Sequence, residues 1–95
     1  MPYFILIKAV VDVEKGMLVV DAELHSDLEA YLLQLGSKQE NLWGINIYPD
    51  LGVDERIEFD SVINVRPSQS NNSREVEDGD IQKKILEIVC SRITE

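Results

Sequence analysis

The chain reads as a single α+β domain over residues 1–95: a four-stranded, mostly antiparallel sheet with two helices on one face, in β-β-α-β-β-α order. Three observations predict this. Stretches near residues 3–13, 17–23, 42–48 and 56–66 are rich in Ile and Val with period-two patterning, the signature of strands. Two other stretches carry apolar residues at helical spacing: Leu28, Tyr31, Leu32 and Leu35, then Ile81, Ile85, Ile88, Val89 and Ile93. Turn chemistry separates the strands of each pair, with Glu14-Lys15-Gly16 in the first and Pro49-Asp50-Leu51-Gly52-Val53-Asp54 in the second.

The first strand has one wholly apolar face (Tyr3, Ile5, Ile7, Ala9, Val11, Val13), while Phe4, Leu6, Lys8, Val10 and Asp12 on the other grow polar toward its end. Residues 17–23 return as its hairpin partner. Ser26-Asp27-Leu28-Glu29 has the capping-box form and predicts a helix start at Ser26; Gly36 is its stop. Ser37-Lys38-Gln39-Glu40 repeats that form and predicts one further turn. In the third strand Trp43, Ile45 and Ile47 alternate with Gly44, Asn46 and Tyr48. A long fourth strand sets Ile57, Phe59, Ser61, Ile63 and Val65 against Glu58, Asp60, Val62, Asn64 and Arg66. One apolar and one polar face predict a sheet covered from one side. Residues 67–77 form a polar loop. Asp78 then caps the last helix, with Asp80 in its first turn.

The net charge of −9 comes from 18 acidic and 9 basic residues. A field of this sign opposes nonspecific binding to nucleic acid or anionic membrane, both of which need clustered Lys and Arg. It favours solubility and a basic or cationic partner. Cys90 is the lone cysteine, which excludes an internal disulfide and a thiolate zinc site and points to a reducing cytoplasm. The start Met1-Pro2-Tyr3-Phe4-Ile5-Leu6-Ile7-Lys8 lacks the basic leader and cleavage site of a signal peptide. No apolar run approaches the ~20 residues of a membrane helix.

The only histidine, His25, stands among carboxylates. On an extended segment Asp21, Glu23 and His25 project to one side, and Asp27 joins them if the strand continues. These residue types suit a divalent metal. Strand neighbours on one side stand about 6–7 Å apart, so another element must supply a further ligand, with Glu58 and Asp60 the candidates. Alternatively Glu23 or Asp27 orients the ring for acid–base work. No nucleophile is marked nearby, because Ser26 is assigned to capping. The plainer reading is a salt-bridged Glu23 and a hydrogen-bonded His25.

A second candidate lies at the end of the fourth strand, where Asn64 and Arg66 share a face. No acidic residue occurs between Asp60 and Glu75, whereas Arg66 and Arg74 both do. With Ser68, Gln69, Ser70, Asn71, Asn72 and Ser73, this island offers donors for a carboxylate or phosphate. The simpler alternative is an Arg66–Glu pair beside a solvated loop. Trp43 is expected in the core, its N–H seeking a partner. Asn46, unusual within a strand, is expected to bond another side chain, with Asn64 and Arg66 the nearest candidates. Cys90 reads as an inert helix thiol.

The chain resembles a family of short, uncharacterised prokaryotic proteins classed as a domain of unknown function. The resemblance rests on Glu23-Leu24-His25 with Asp27-Leu28-Glu29, Gly36-Ser37 with Gln39, and Leu42-Trp43-Gly44 with Asn46 and Tyr48-Pro49. It continues through Ile63-Asn64-Val65-Arg66-Pro67 with Asn72, Ser73, Val76 and Asp78, covering about residues 8–93. Gly79 departs from the family's frequent proline at that point. The resemblance implies that the His25 and Arg66 segments belong to one pattern, and it implies no activity.

The leading expectation is a noncatalytic binding or regulatory module, cytoplasmic, with no cofactor. Its polar sheet face, Asn46, Tyr48, Asn64 and Arg66 with Arg74, would hold a small polar ligand or a partner protein. The alternative is a small metal-dependent or acid–base enzyme centred on His25 and Glu23. A third reading is a homo-oligomer that buries the apolar face of the first strand.

Overall fold

Each strand of the first hairpin exists because its side chains alternate between two buried surfaces. In the computed structural model, which describes residues 6–52 and 55–92, these strands are β1 (Ile7–Asp12) and β2 (Met17–Val20). Between them Asp12 closes the turn. Its fully buried carboxylate accepts the main-chain N–H groups of Glu14 and Lys15 at 2.9 Å and the Ser37 hydroxyl at 2.6 Å. Gly16 completes the turn at φ +67°, the left-handed conformation glycine adopts freely.

The chain then forms α1 (His25–Gln34), a 3₁₀ turn (Gln39–Asn41), β3 (Leu42–Ile47), β4 (Ile57–Glu58), two further 3₁₀ turns (Val62–Asn64 and Pro67–Gln69) and α2 (Gly79–Arg92). The strands pair in the order β2-β1-β3-β4, antiparallel throughout. The four-stranded sheet, the two helices and the β-β-α-β-β-α order are those expected. Tyr3, Phe4 and Ile5 of the expected first strand, Val53 and Asp54 of the second turn, and Ile93 of the last stripe lie outside the described residues.

The helices do not share a face. Ala9, Val11, Trp43, Ile45 and Ile47 pack with Ile85 and Val89 of α2 and with Val76. Val10 and Leu42, which point the opposite way, pack with Leu28 and Leu32 of α1. The sheet is therefore sandwiched: the α2 face of its central strands is wholly apolar, and on the α1 face Val10 and Leu42 pack under the helix beside the polar Lys8, Asp12 and Asn46. The strand face expected to serve an oligomer interface is, over residues 9 and 11, buried by the chain's own second helix.

The capping boxes are not used. Leu24 is the N-cap residue of α1 without a side-chain bond, so the helix begins at His25, one residue early. Ser37 spends its hydroxyl on Asp12 and leaves the following turn uncapped. Of the predicted α1 stripe, Leu28 and Leu32 are buried, whereas Tyr31 and Leu35 are exposed. The stop at Gly36 is as expected. With φ +98°, its N–H donates to the Leu33 carbonyl at 3.1 Å and that of Ser37 to the Leu32 carbonyl at 3.0 Å, a Schellman ending. Asp78 caps α2, its carboxylate accepting the N–H groups of Asp80 at 2.8 Å and Ile81 at 3.3 Å.

The fourth strand is far shorter than its pattern suggests. After Glu58 the chain leaves the sheet, and Asn64 takes over the pairing. Its fully buried carboxamide accepts from the Gly44 N–H at 2.8 Å and donates to the Gly44 carbonyl at 3.0 Å and the Arg74 carbonyl at 2.9 Å. One side chain thus satisfies both main-chain groups of Gly44, as a paired strand residue would. The close approach needs a glycine: a Cβ at residue 44 would stand 2.6 Å from Ser61 Cβ and Oγ. Through this turn the chain changes faces. Ile57 and Phe59 pack on the α2 side, Ile63 on the α1 side.

Candidate functional site

A row of unlike side chains crosses the sheet on the α1 side. Lys8 of β1 lies opposite Asn46 of β3, and Asn46 lies opposite Glu58 of β4. Directly opposed residues share a face, so cation, amide and carboxylate stand side by side. They line a cavity of about 380 Å³ at the amino end of α1. His25, Tyr48, Asp60 and Arg74 also contribute, and Leu6, Leu24 and Val62 add exposed apolar surface.

Asn46 is the best-determined member. Its Nδ2 donates to Glu58 Oε1 at 2.8 Å and to the Asp60 carbonyl at 3.2 Å. Both partners are pure acceptors, which fixes the orientation of the carboxamide. Its Oδ1 is buried with no partner among the described residues. The expected partners Asn64 and Arg66 are not the ones found. Tyr48 donates its hydroxyl to the same Glu58 oxygen at 3.1 Å. Burial, then the Glu58 bond and the charges of Glu58 and Asp60, raise its phenol above the ordinary tyrosine value. Arg74 pairs with Asp60 at 2.6 Å on exposed surface.

His25 is 9% exposed, and its Nε2 lies 2.7 Å from the Ile45 carbonyl. A carbonyl only accepts, so Nε2 carries a proton and the neutral ring presents a bare Nδ1. Burial lowers the imidazole pKa below 6.5, and Lys8 acts the same way. The Ile45 carbonyl, the Asn46 carboxamide and the Asp60 charge oppose the shift. His25 also sits in the first turn of a helix, where a positive charge is disfavoured. The unfolded chain therefore takes up a proton near pH 6.5 while the folded chain still resists it. His25's contribution to stability is full above that pH and is lost as pH falls from 6.5 through the lower folded value. Urea unfolding between pH 7.5 and 5 should show this loss, and His25→Gln should flatten that part of the profile.

Asp21, Glu23 and Asp27 are exposed and do not line the cavity. Among the described residues no group of three His, Cys, Asp or Glu side chains is arranged to hold a metal. The Asp21, Glu23, His25 and Asp27 set is therefore not gathered, although Glu58 and Asp60, named as further ligands, do lie at the cavity. Ser26, free of capping, lines it as well.

Arg66 is no part of this cavity. It is 7% exposed, lies 4.0 Å over the Trp43 ring, and donates to the carbonyls of Gln39 and Leu42. Burial lowers its pKa from the usual arginine value, and the charge of Glu29 works against that. Two of the loop's donors, Asn71 and Gln69, are likewise spent on the fold. Asn71, 3% exposed, spreads its Nδ2 over the carbonyls of Asn64, Ser73 and Glu75 and accepts the Glu77 N–H at 2.8 Å. Gln69 donates to the Glu40 carbonyl at 3.0 Å. Cys90 is exposed.

Of the sequence-derived candidates, His25, Asn46, Tyr48 and Arg74 are brought together; Asn64 and Arg66 are turned to structural work. Lys8 was missed. Its signal was a cation on the second face of a strand whose Val10 must be buried.

Fold and cavity define a small α/β/α sandwich with a polar cavity beside the short edge strand of its sheet. The chain belongs to the DUF5674 family, described as a protein of unknown function, which matches residues 1–92. Among curated proteins and among solved structures, nothing matches it. No described helix is long and apolar enough to cross a membrane.

Proposed function

We propose that the chain is a noncatalytic binding module that holds a small polar ligand in the cavity between α1 and the β3–β4 edge. The observation that carries this is the row of Lys8, Asn46 and Glu58 along the cavity: Asn46 and Tyr48 hold one oxygen of the Glu58 carboxylate, and Lys8 has no ionic partner among the described residues. The cavity volume is at the lower end of ligand sites, which favours a small molecule. A ring whose Nε2–H is held by a main-chain carbonyl and whose charged form is disfavoured supports recognition more than proton transfer. The lone cysteine supports a reducing cytoplasm, and the resemblance to short prokaryotic proteins supports that origin. We take the sequence as one domain.

Screening small polar fragments by NMR tests the proposal. Saturable shifts should concentrate at Lys8, Asn46, Tyr48 and Glu58. They should vanish in Val62→Trp, which fills the cavity from an exposed position. Shifts that are scattered, or that survive in Val62→Trp, would sink the proposal.

A further inference from the structure

The Lys8–Asn46–Glu58 row carries the reading one step further, to the kind of ligand; this step rests on the binding proposal above. Of the four charged side chains at the cavity, Arg74 and Asp60 neutralise each other at 2.6 Å. Lys8 and Glu58 remain, and among the described residues neither has an ionic partner. Glu58 uses one oxygen, Oε1, for Asn46 and Tyr48, which leaves Oε2 to accept.

The row therefore has a distinct polarity. The Glu58 carboxylate lies on β4, and a cation lies on β1. Neighbouring strands stand about 4.8 Å apart, so the two ends are within the span of a small molecule, given the length of the lysine stem. Leu24 and Val62, 56% and 66% exposed, offer apolar surface beside this polar floor.

We propose that the ligand is a small zwitterion whose ammonium sits on Glu58, whose carboxylate meets Lys8, and whose aliphatic part lies on Leu24 and Val62. An ammonium donates to the carboxylate oxygen of Glu58 that Asn46 and Tyr48 leave free, and a carboxylate answers Lys8. A ligand of one charge would leave either Lys8 or Glu58 unmatched.

The test uses glycine, L-leucine and γ-aminobutyrate as zwitterions, with 3-methylbutylamine and 4-methylpentanoate as the amine and acid counterparts of leucine. Binding is read from the Asn46 side-chain NH₂ and the Lys8 and Glu58 amide signals of the full chain. At least one zwitterion should saturate these shifts, and the single-charge compounds should bind at least tenfold more weakly than leucine. Lys8→Met should reduce leucine to the affinity of the amine, and Glu58→Gln to that of the acid. Equal binding of leucine and either counterpart would overturn the assignment. So would amine binding that improves in Lys8→Met, which would show that Lys8 itself fills the acceptor site. If other polar fragments bind in the cavity and no zwitterion does, this assignment fails and the binding proposal stands. If nothing binds there, both fail.

Discussion

Asn64→Leu is expected to lower the free energy of unfolding by about 3–5 kcal/mol, because three buried main-chain groups lose their partner at once. Those groups are the Gly44 N–H, the Gly44 carbonyl and the Arg74 carbonyl. Leucine keeps the γ-branched outline of the side chain and is somewhat larger, so it leaves no cavity and the loss is polar, with any overpacking adding to it. Domains of this size are stable by only about 5–15 kcal/mol, so the change would remove a large part of the total. Asn64→Asp should fare little better. It keeps an acceptor for Gly44 N–H and sets another acceptor against two carbonyls. Urea midpoints at constant m-value measure the effect. A loss below about 1 kcal/mol for Asn64→Leu would contradict the view that this residue substitutes for a strand.

Arg66→Met is expected to cost about 2–4 kcal/mol, with the sign decided by two opposing terms. Removing a buried guanidinium relieves the desolvation that lowers its pKa. Against that, the carbonyls of Gln39 and Leu42 lose charge-assisted donors, and the Trp43 ring loses the cation above it. The charge of Glu29, whose Oε2 is buried without a partner among the described residues, loses an attractive neighbour too. Methionine replaces only the packing, so the unmet carbonyls dominate. Arg66→Lys should recover less than half of the loss, because one ammonium does not reproduce the planar fork. Denaturation gives the stability, and Trp43 fluorescence reports the change over the ring independently. A neutral or stabilising Arg66→Met would show that the desolvation term prevails.

Both predictions concern residues that the sequence marked as ligand-binding. Asn64 and Arg66 stand out in the sequence for a sound reason: polar side chains on a strand are uncommon and need partners. What the pattern did not contain was the partner. In Asn64 it proved to be the main chain of Gly44, twenty residues away, and in Arg66 two carbonyls beside a short turn. The long apolar alternation of residues 56–66 likewise looked like a strand. It could not reveal that the segment packs against β3 through a glycine and changes faces at residues 61–64. The helix start failed more locally. Ser26 and Glu29 had the right spacing for mutual capping, yet the helix begins one residue earlier, with His25 seated against Ile45.

What the sequence by itself determined are the features set by neighbours along the chain: the β1–β2 hairpin with Gly16, the glycine ending of α1, the Asp78 cap, the strand character of residues 42–47 and the element order. Periodicity, φ preference and hydrogen bonds a few residues long decide these. Only the tertiary structure decided which face each helix covers, where the fourth strand stops, and which of the polar residues meet. Those outcomes depend on burial and on contacts between distant segments. Val10 already hinted at a doubly covered sheet. The alignment of Lys8, Asn46 and Glu58 in one row required the pairing of three strands, because register is a property of the sheet and not of any strand alone.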